Sequence, residues 1–291
     1  MIQNATLLII ILLLVDSLHF VFARLLLPHI APATSVLFVL GIATSEMLIY
    51  GLATKQLNFR LTKQEIAFFS VIGLLIAVST NINYEAVAFI DPGTASLLAQ
   101  TSVVFGLGFG IFWLKDRLSP QQLVGAGIAI FGVFVIEYQG GDYLRIGSLM
   151  VIGSSFLYSL HAAITKRFGQ NMDFVSFFFY RVAFTTAFLV VYALGRGLLV
   201  WPSQTAWPLL ILVGTTDVVF SRALYYLALR RLTMSMHTLI FTLSPVVAIL
   251  WAWGLFGTLP GLQQLMGGAA VLAGITLISL AQHRSNQKAK A

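Results

Sequence analysis

The sequence of 291 residues has no cysteine, and only 9% of its residues are charged, where a soluble domain carries roughly a quarter. Without cysteine, disulfide frameworks and thiolate metal sites are excluded. With so little charge the chain has too few polar groups to clothe a water-soluble surface. Nor does any interval between its apolar runs have the length of a soluble domain, so whatever the protein does must be built from the apolar segments themselves. The catalytic signatures are missing as well: there is no HExxH and no GxSxG. Gly106-Leu107-Gly108-Phe109-Gly110 lies inside an apolar run, with neither a preceding strand nor a P-loop lysine. The chain does not read as an enzyme, and it calls for no cofactor and no metal.

What is present is apolar: 58% of residues are hydrophobic and the mean hydropathy is +0.91. The apolar residues fall into runs near the length of about 20 with which a helix crosses a bilayer. Runs such as residues 7–15 are unbroken, unlike the alternation of a membrane barrel strand. This predicts an all-α polytopic membrane protein with ten transmembrane helices at 5–26, 34–54, 66–88, 93–114, 122–138, 147–167, 174–194, 207–229, 232–256 and 263–281. Thr62 with Glu65 and Ser119 with Gln122 have capping-box spacing, while Asp91-Pro92 and Ser119-Pro120 place proline where a first turn tolerates it. No basic residue precedes the first span and no small-residue cleavage site follows it, so it reads as a retained helix rather than a signal peptide.

The net charge of +7 comes from 17 basic and 10 acidic residues. The basic residues are scattered in twos and threes between spans, a pattern of topology rather than of a nucleic-acid partner. With the N-terminus inside, Lys55, Arg60, Lys63, Lys115, Arg117, Lys166, Arg167, Arg230, Arg231, Arg284, Lys288 and Lys290 share one side. Only Arg24, Arg145 and Arg196 fall opposite, with Arg181 and Arg222 inside spans. Flanking Lys and Arg resist translocation, so both termini are expected in the cytoplasm and the chain in the inner (plasma) membrane.

A shift of 142 residues superposes the chain on itself without a gap. Ser17-Leu18-His19 falls on Ser159-Leu160-His161, Tyr84 on Tyr226, Gln121-Gln122-Leu123 on Gln263-Gln264-Leu265, Gly125 on Gly267 and Gly132 on Gly274. Five spans per half, an odd number, imply that the halves are inverted: 5–138 the first five-helix repeat, 147–282 the second, and 283–291 a cytoplasmic tail. Inverted halves are the plan of secondary transporters, with a site near the midplane between repeats.

At Leu114-Lys115-Asp116-Arg117-Leu118-Ser119-Pro120-Gln121-Gln122-Leu123-Val124-Gly125, and on to Gly132, the sequence resembles the EamA-type members of the drug/metabolite transporter superfamily. Tyr226-Leu227-Ala228-Leu229 and Ser244-Pro245 look like the same stretch of the second copy. Arg181 matches an arginine common early in that family's seventh helix. The likeness extends over nearly the whole chain. It implies a ten-helix fold and export or exchange of small metabolites or drugs.

Each ionisable group inside a span needs a reason, since insertion costs about 2.5 to 3.5 kcal/mol per charge. Asp16 and His19 lie three residues apart near the middle of the first span, spaced to hold or pass a proton or to form a structural pair. His161, the repeat partner of His19, either faces it across a central site or packs on a carbonyl. Arg181, Arg222 and His237 would line an electropositive vestibule, unless an arginine is held by Asp217 or Glu46. Asn81, Tyr84 and Ala88 share a helix face, with Gln100 in the next span and Tyr226, Ser221 and Thr242 in the second copy. Amides, hydroxyls and phenols in an apolar cavity suit an aromatic or amphipathic solute, though they also knit helices together. Candidate substrate-binding or coupling residues are thus Asp16, His19, Asn81, Tyr84, Gln100, His161, Arg181, Asp217, Arg222, Tyr226 and His237.

The function these features predict is secondary transport by alternating access, exporting or exchanging a small organic metabolite, amino-acid-like or aromatic, with protons as a possible second partner. An importer or facilitator of a similar solute is the alternative, and a non-transporting receptor or scaffold a distant one. The partners expected are a small-molecule substrate and the lipid bilayer, with no nucleic acid.

Overall fold

The computed structural model describes residues 5–113, 119–137, 146–169, 172–224 and 243–288, the side chains of 5–9, 137 and 282–288 aside. Among the described residues every regular element is a helix. In chain order they are α1 (Ala5–Asp16), α2 (His19–Leu26), α3 (Pro32–Ala53), α4 (Lys63–Ala86), α5 (Pro92–Ala99) and α6 (Thr101–Phe112), then α7 (Pro120–Glu137), α8 (Ile146–Phe168), α9 (Phe174–Gly195) and α10 (Trp207–Val213). A π-helical turn, Gly214–Phe220, continues α10, and α11 (Ser244–Phe256) and α12 (Leu262–Lys288) follow.

The helix starts follow from local chemistry. Thr62 Oγ1 accepts from the Glu65 amide at 3.2 Å while Glu65 Oε2 accepts from the Thr62 amide at 2.7 Å, closing a capping box that occupies two of the donors a helix start leaves open. Ser119 and Gln122 form the same reciprocal pair ahead of α7. Asp91 caps α5 by accepting from the Thr94 amide, and Pro92 supplies its first turn.

Among the described residues seven helical stretches are long and apolar enough to cross a membrane: Pro32–Ala53, Lys63–Ala86, Pro92–Phe112, Ile146–Phe168, Phe174–Gly195, Trp207–Leu224 and Leu262–Ala281. The chain is thus a multi-pass membrane protein. The other three expected spans differ for separate reasons. That at 122–138 is a shorter apolar helix, Pro120–Ile136, and of that at 232–256 only α11 is described. The first, expected as one helix over 5–26, is broken. Ser17 Oγ donates back to the Leu14 carbonyl, and the Leu18 amide closes onto Val15, three residues behind. A serine hydroxyl competing for the carbonyls of the preceding turn loosens the helical ladder. The apolar pattern continues through the break, which is why hydropathy does not register it.

Contacts come in pairs related by the 142-residue shift. Thr34 Oγ1 donates to the Leu198 carbonyl at 2.9 Å, and Ser176 Oγ donates to the Gln56 carbonyl at 3.0 Å. Thr44 Oγ1 meets its own equivalent, Thr186 Oγ1, at 2.9 Å. Gly125 lies on the backbone of Gly274, and Gly132 on that of Gly267, where any Cβ would strike a carbonyl oxygen, so α7 and α12 pack backbone to backbone. This is the close approach that small residues permit between membrane helices. The turns ending α3 and α9 correspond too: Lys55 (φ 56°) and Gly197 (φ 64°) both adopt the left-handed conformation. The gapless shift nevertheless hides a compensated slip. Gly214 packs on Ile42 as Gly73 packs on Phe184, the equivalent of Ile42. Gly73 and Gly214 are one residue short of the 142 spacing, and the extra residue of the π turn restores it before Ser221.

Candidate functional site

Two helix irregularities meet in the interior. Asp16 is the last residue of α1 and His19 the first of α2, so both stand at the break. Opposite, the π turn presents Asp217, whose Oδ2 lies 2.9 Å from His19 Nδ1. Asp217 is buried, at 6% exposure, and the His19 side chain is 29% exposed. A π turn widens the helix by one residue per turn and redirects what it carries, which is why such turns gather at functional sites. Asp16 makes long contacts with Ser221 Oγ (3.4 Å) and Ser244 Oγ (3.5 Å), within electrostatic reach of Arg222 and Asp217.

These groups line a cavity of about 740 Å³, within the range of small-molecule sites. From α4, Ile76, Ser79, Thr80, Asn83 and Tyr84 face it at helical spacing. Ser96 and Gln100 come from α5 and the bend after it, and Ser154, Tyr158, His161 and Lys166 from α8. Phe178 and Arg181 come from α9, and Arg222 from the turn after the π segment. One end is closed: Leu26, Val87, Ile90 and Leu97 there are buried, and Gly147 of α8 seats directly on Phe89 and Ile90. Toward the other end the lining reaches Lys166, which is exposed.

On the α8–α9 wall, His161 is 7% exposed and its Nε2 lies 3.3 Å from Thr165 Oγ1. The Arg181 guanidinium lies 6.0 Å from the centre of the Phe178 ring and interacts with the phenol of Tyr158. Toward the closed end, Tyr84 is 1% exposed and its hydroxyl has no hydrogen-bond partner among the described residues. An unpaired buried hydroxyl costs about 1 to 3 kcal/mol.

Asp16, His19, Tyr84, Gln100, His161, Arg181, Asp217 and Arg222 all line this cavity. Asn81 does not; it donates to Glu85 Oε1 at 2.9 Å, and the amide at the cavity is Asn83, which accepts from the Ser154 hydroxyl. Tyr226 and His237 lie outside the described residues, as does Thr242. Glu46 holds Thr215 Oγ1 at 2.5 Å. Tyr158 was not singled out, although the 142-residue shift lays it on Asp16. Ser79-Thr80 and Asn83-Tyr84, polar pairs four residues apart, were the signal for the face of α4 that looks inward. Among the described residues no group of three histidines or acids is placed to hold a metal ion.

The EamA-like transporter family matches twice, over residues 3–138 and 145–280, each end of the second match lying 142 residues beyond the first. The chain belongs to this family. It is a transporter and not an enzyme, and its cavity sets acid, base, hydroxyl and amide groups in aliphatic and aromatic walls. Among its relatives, the uncharacterized transporter YdfC of Bacillus subtilis is 25% identical over 205 residues, 68% of this chain and 66% of that protein. A probable terminal-alkyne amino-acid exporter of Streptantibioticus cattleyicolor is 26% identical over 193 residues, 65% of each. The chain thus spans about two thirds of the length of each. A solved crystal structure shares the fold with a TM-score of 0.67 at 19% identity, over 96% of this chain and 98% of that one.

Proposed function

We propose that this transporter exports or exchanges a small organic metabolite, amino-acid-like or aromatic, by alternating access, with ten membrane helices arranged as inverted repeats 5–138 and 147–282, a cytoplasmic tail 283–291 and both termini in the cytoplasm. The observation that carries the proposal is the cavity of about 740 Å³, walled by residues from before and after the midpoint of the chain, closed at one end and reaching Lys166 toward the other. The paired contacts of the 142-residue shift support the inverted repeat, because swapping the two segments exchanges Thr34–Leu198 with Gln56–Ser176. The exporter name of the Streptantibioticus relative favours an amino-acid-like solute. Asp16 and His19, with Asp217, are the groups through which a proton would enter the cycle.

The test is counterflow in proteoliposomes preloaded with individual unlabelled amino acids or aromatic amines. Accelerated entry of the labelled solute is expected for at least one of them. Exchange with none, from a reconstituted protein that still binds the solute, overturns the transport assignment for that class.

A further inference from the structure

We propose that the closed end of the cavity is a binding site for a primary ammonium group, held by Tyr84 Oη, Asp16 and the Asp217 oxygen turned away from His19, and open to that group only while His19 is neutral. This rests on the cavity being the substrate chamber, and it names the group by which a solute is anchored there.

The pointer to a ligand is Tyr84. Among the described residues its hydroxyl is buried without a partner, and Tyr84 lines the cavity with its ring edge-on to His19, centroids 5.9 Å apart. Asp217 uses Oδ2 on His19 Nδ1, and a carboxylate has lone pairs on both oxygens. Among the described residues, Asp16 accepts only long hydrogen bonds, from Ser221 and Ser244 at 3.4 and 3.5 Å. An ammonium has three donors and no acceptor, and α1, α4 and the π turn each bring one oxygen-bearing side chain to the cavity lining, with Asp16 and Tyr84 both within electrostatic reach of Asp217. Phe20, whose ring centroid lies 5.2 Å from that of His19, adds an apolar wall for the carbon attached to the nitrogen.

Charge decides when the site is available. Near His19 stand Asp16 from α1, Asp217 from the π turn, Arg222 beyond it and the Tyr84 phenol of α4. Across the cavity are Tyr158 and His161 of α8 and Arg181 of α9, with Lys166 of α8 at the far end. The cavity residues of α3 (Val36, Val39, Leu40), α5 (Ser96) and α11 (Ser244) carry no charge. With a neutral imidazole, Asp16, Asp217 and Arg222 sum to one negative charge, which an ammonium cancels. With an imidazolium they are already balanced, and an ammonium would be surplus positive charge in a low-dielectric chamber. A proton on His19 and the amine therefore exclude one another.

The test is calorimetric titration of the purified full chain in lipid nanodiscs with 2-phenylethylamine, 2-phenylethanol and 3-phenylpropionate. The amine keeps its charge at about pH 8 and about pH 5.5, as a lysine side chain does, so any pH effect belongs to the protein. The amine is expected to bind about tenfold tighter than the alcohol at about pH 8 and to lose about tenfold at about pH 5.5, through the range in which histidine titrates. Tyr84→Phe is expected to weaken the amine about tenfold without lowering the unliganded melting temperature, because among the described residues the hydroxyl it removes has no partner to lose. His19→Gln is expected to remove the pH dependence. Equal affinity for amine and alcohol, preference for the propionate, or an unchanged amine affinity in Tyr84→Phe each overturns the ammonium site. Amine binding without amine movement in proteoliposomes overturns the transport assignment instead, and leaves the site standing.

Discussion

His19 takes its carboxylate from Asp217, 198 positions along the chain, rather than from Asp16 three positions before it. Counting by helical turns placed Asp16 and His19 on one face, and that count fails because the helix ends between them at Ser17 and Leu18. The identities of the polar residues were legible; their pairing was not, since pairing depends on where the backbone leaves helical geometry. The same holds on α4, where Tyr84 lines the cavity but Asn81 does not, and the amide that does is Asn83, two residues away and on a different face. With two carboxylates near one imidazole, Asp16 has a separable role. Asp16→Asn keeps the size but cannot ionise. Its transport in proteoliposomes is expected to lose its acceleration by an imposed pH gradient. A variant that still responds fully would leave Asp217 and His19 as the coupling pair.

Among the elements, starts were easier to foresee than interruptions. The caps of α4, α5 and α7 depend on two or three residues at fixed spacing, which a sequence displays directly. The π turn left no such mark, because the repeat matches on both sides of it and the missing residue lies earlier in the chain. Small-residue faces were legible only in part. Gly125 and Gly132 meet α12 backbone to backbone, whereas a Cβ on Gly106 would meet nothing within 4 Å. A Cβ at Gly132 would sit 2.6 Å from both the Gly267 oxygen and the Val271 nitrogen, and backbone cannot rotate out of the way as a side chain does. Gly132→Val is therefore expected to destabilise the protein by about 1 to 3 kcal/mol or more. Gly153→Ala, at a helical position with nothing within 4 Å, is expected to be neutral or to gain up to about 1 kcal/mol. Thermal unfolding of the two purified variants against the parent checks both, and equal losses would refute the α7–α12 contact as a rigid seam.

For the whole molecule, the repeat organises the backbone but not the charges. Arg181, Asp217 and Arg222 line the cavity, and the 142-residue shift lays them on the neutral Val39, Leu75 and Thr80, while Lys166 at the exposed end falls on another base, Arg24. Under alternating access, exchange of the two repeat conformations would carry Lys166, Arg181, Asp217 and Arg222 with one segment and Asp16 and His19 with the other, making the two states electrostatically unequal. Which state faces which side depends on orientation. The turn at Gly169 packs on Phe68, and Ser176 and Tyr180 bond the backbone of the α3–α4 loop at Gln56 and Asn58, so Lys55, Arg60, Lys63, Lys166 and Arg167 share one end. Arg24, bonded to the Val87 carbonyl, and Arg196, two residues before the Leu198 that Thr34 bonds, belong to the other. Because flanking basic residues stay in the cytoplasm, the closed end is expected to face outward and the Lys166 end inward. The chain has no cysteine to confuse a labelling experiment. A single cysteine at Ser203, exposed on the closed side between α9 and α10, should react with an impermeant maleimide on intact cells. One at Ser285, near the end of α12, should react only after the membrane is opened. The reverse pattern would turn the protein over and make the closed end cytoplasmic, so that solute in the cavity would have come from outside. Labelling of both on intact cells would be incompatible with any fixed orientation of a chain whose basic residues are so unequally divided.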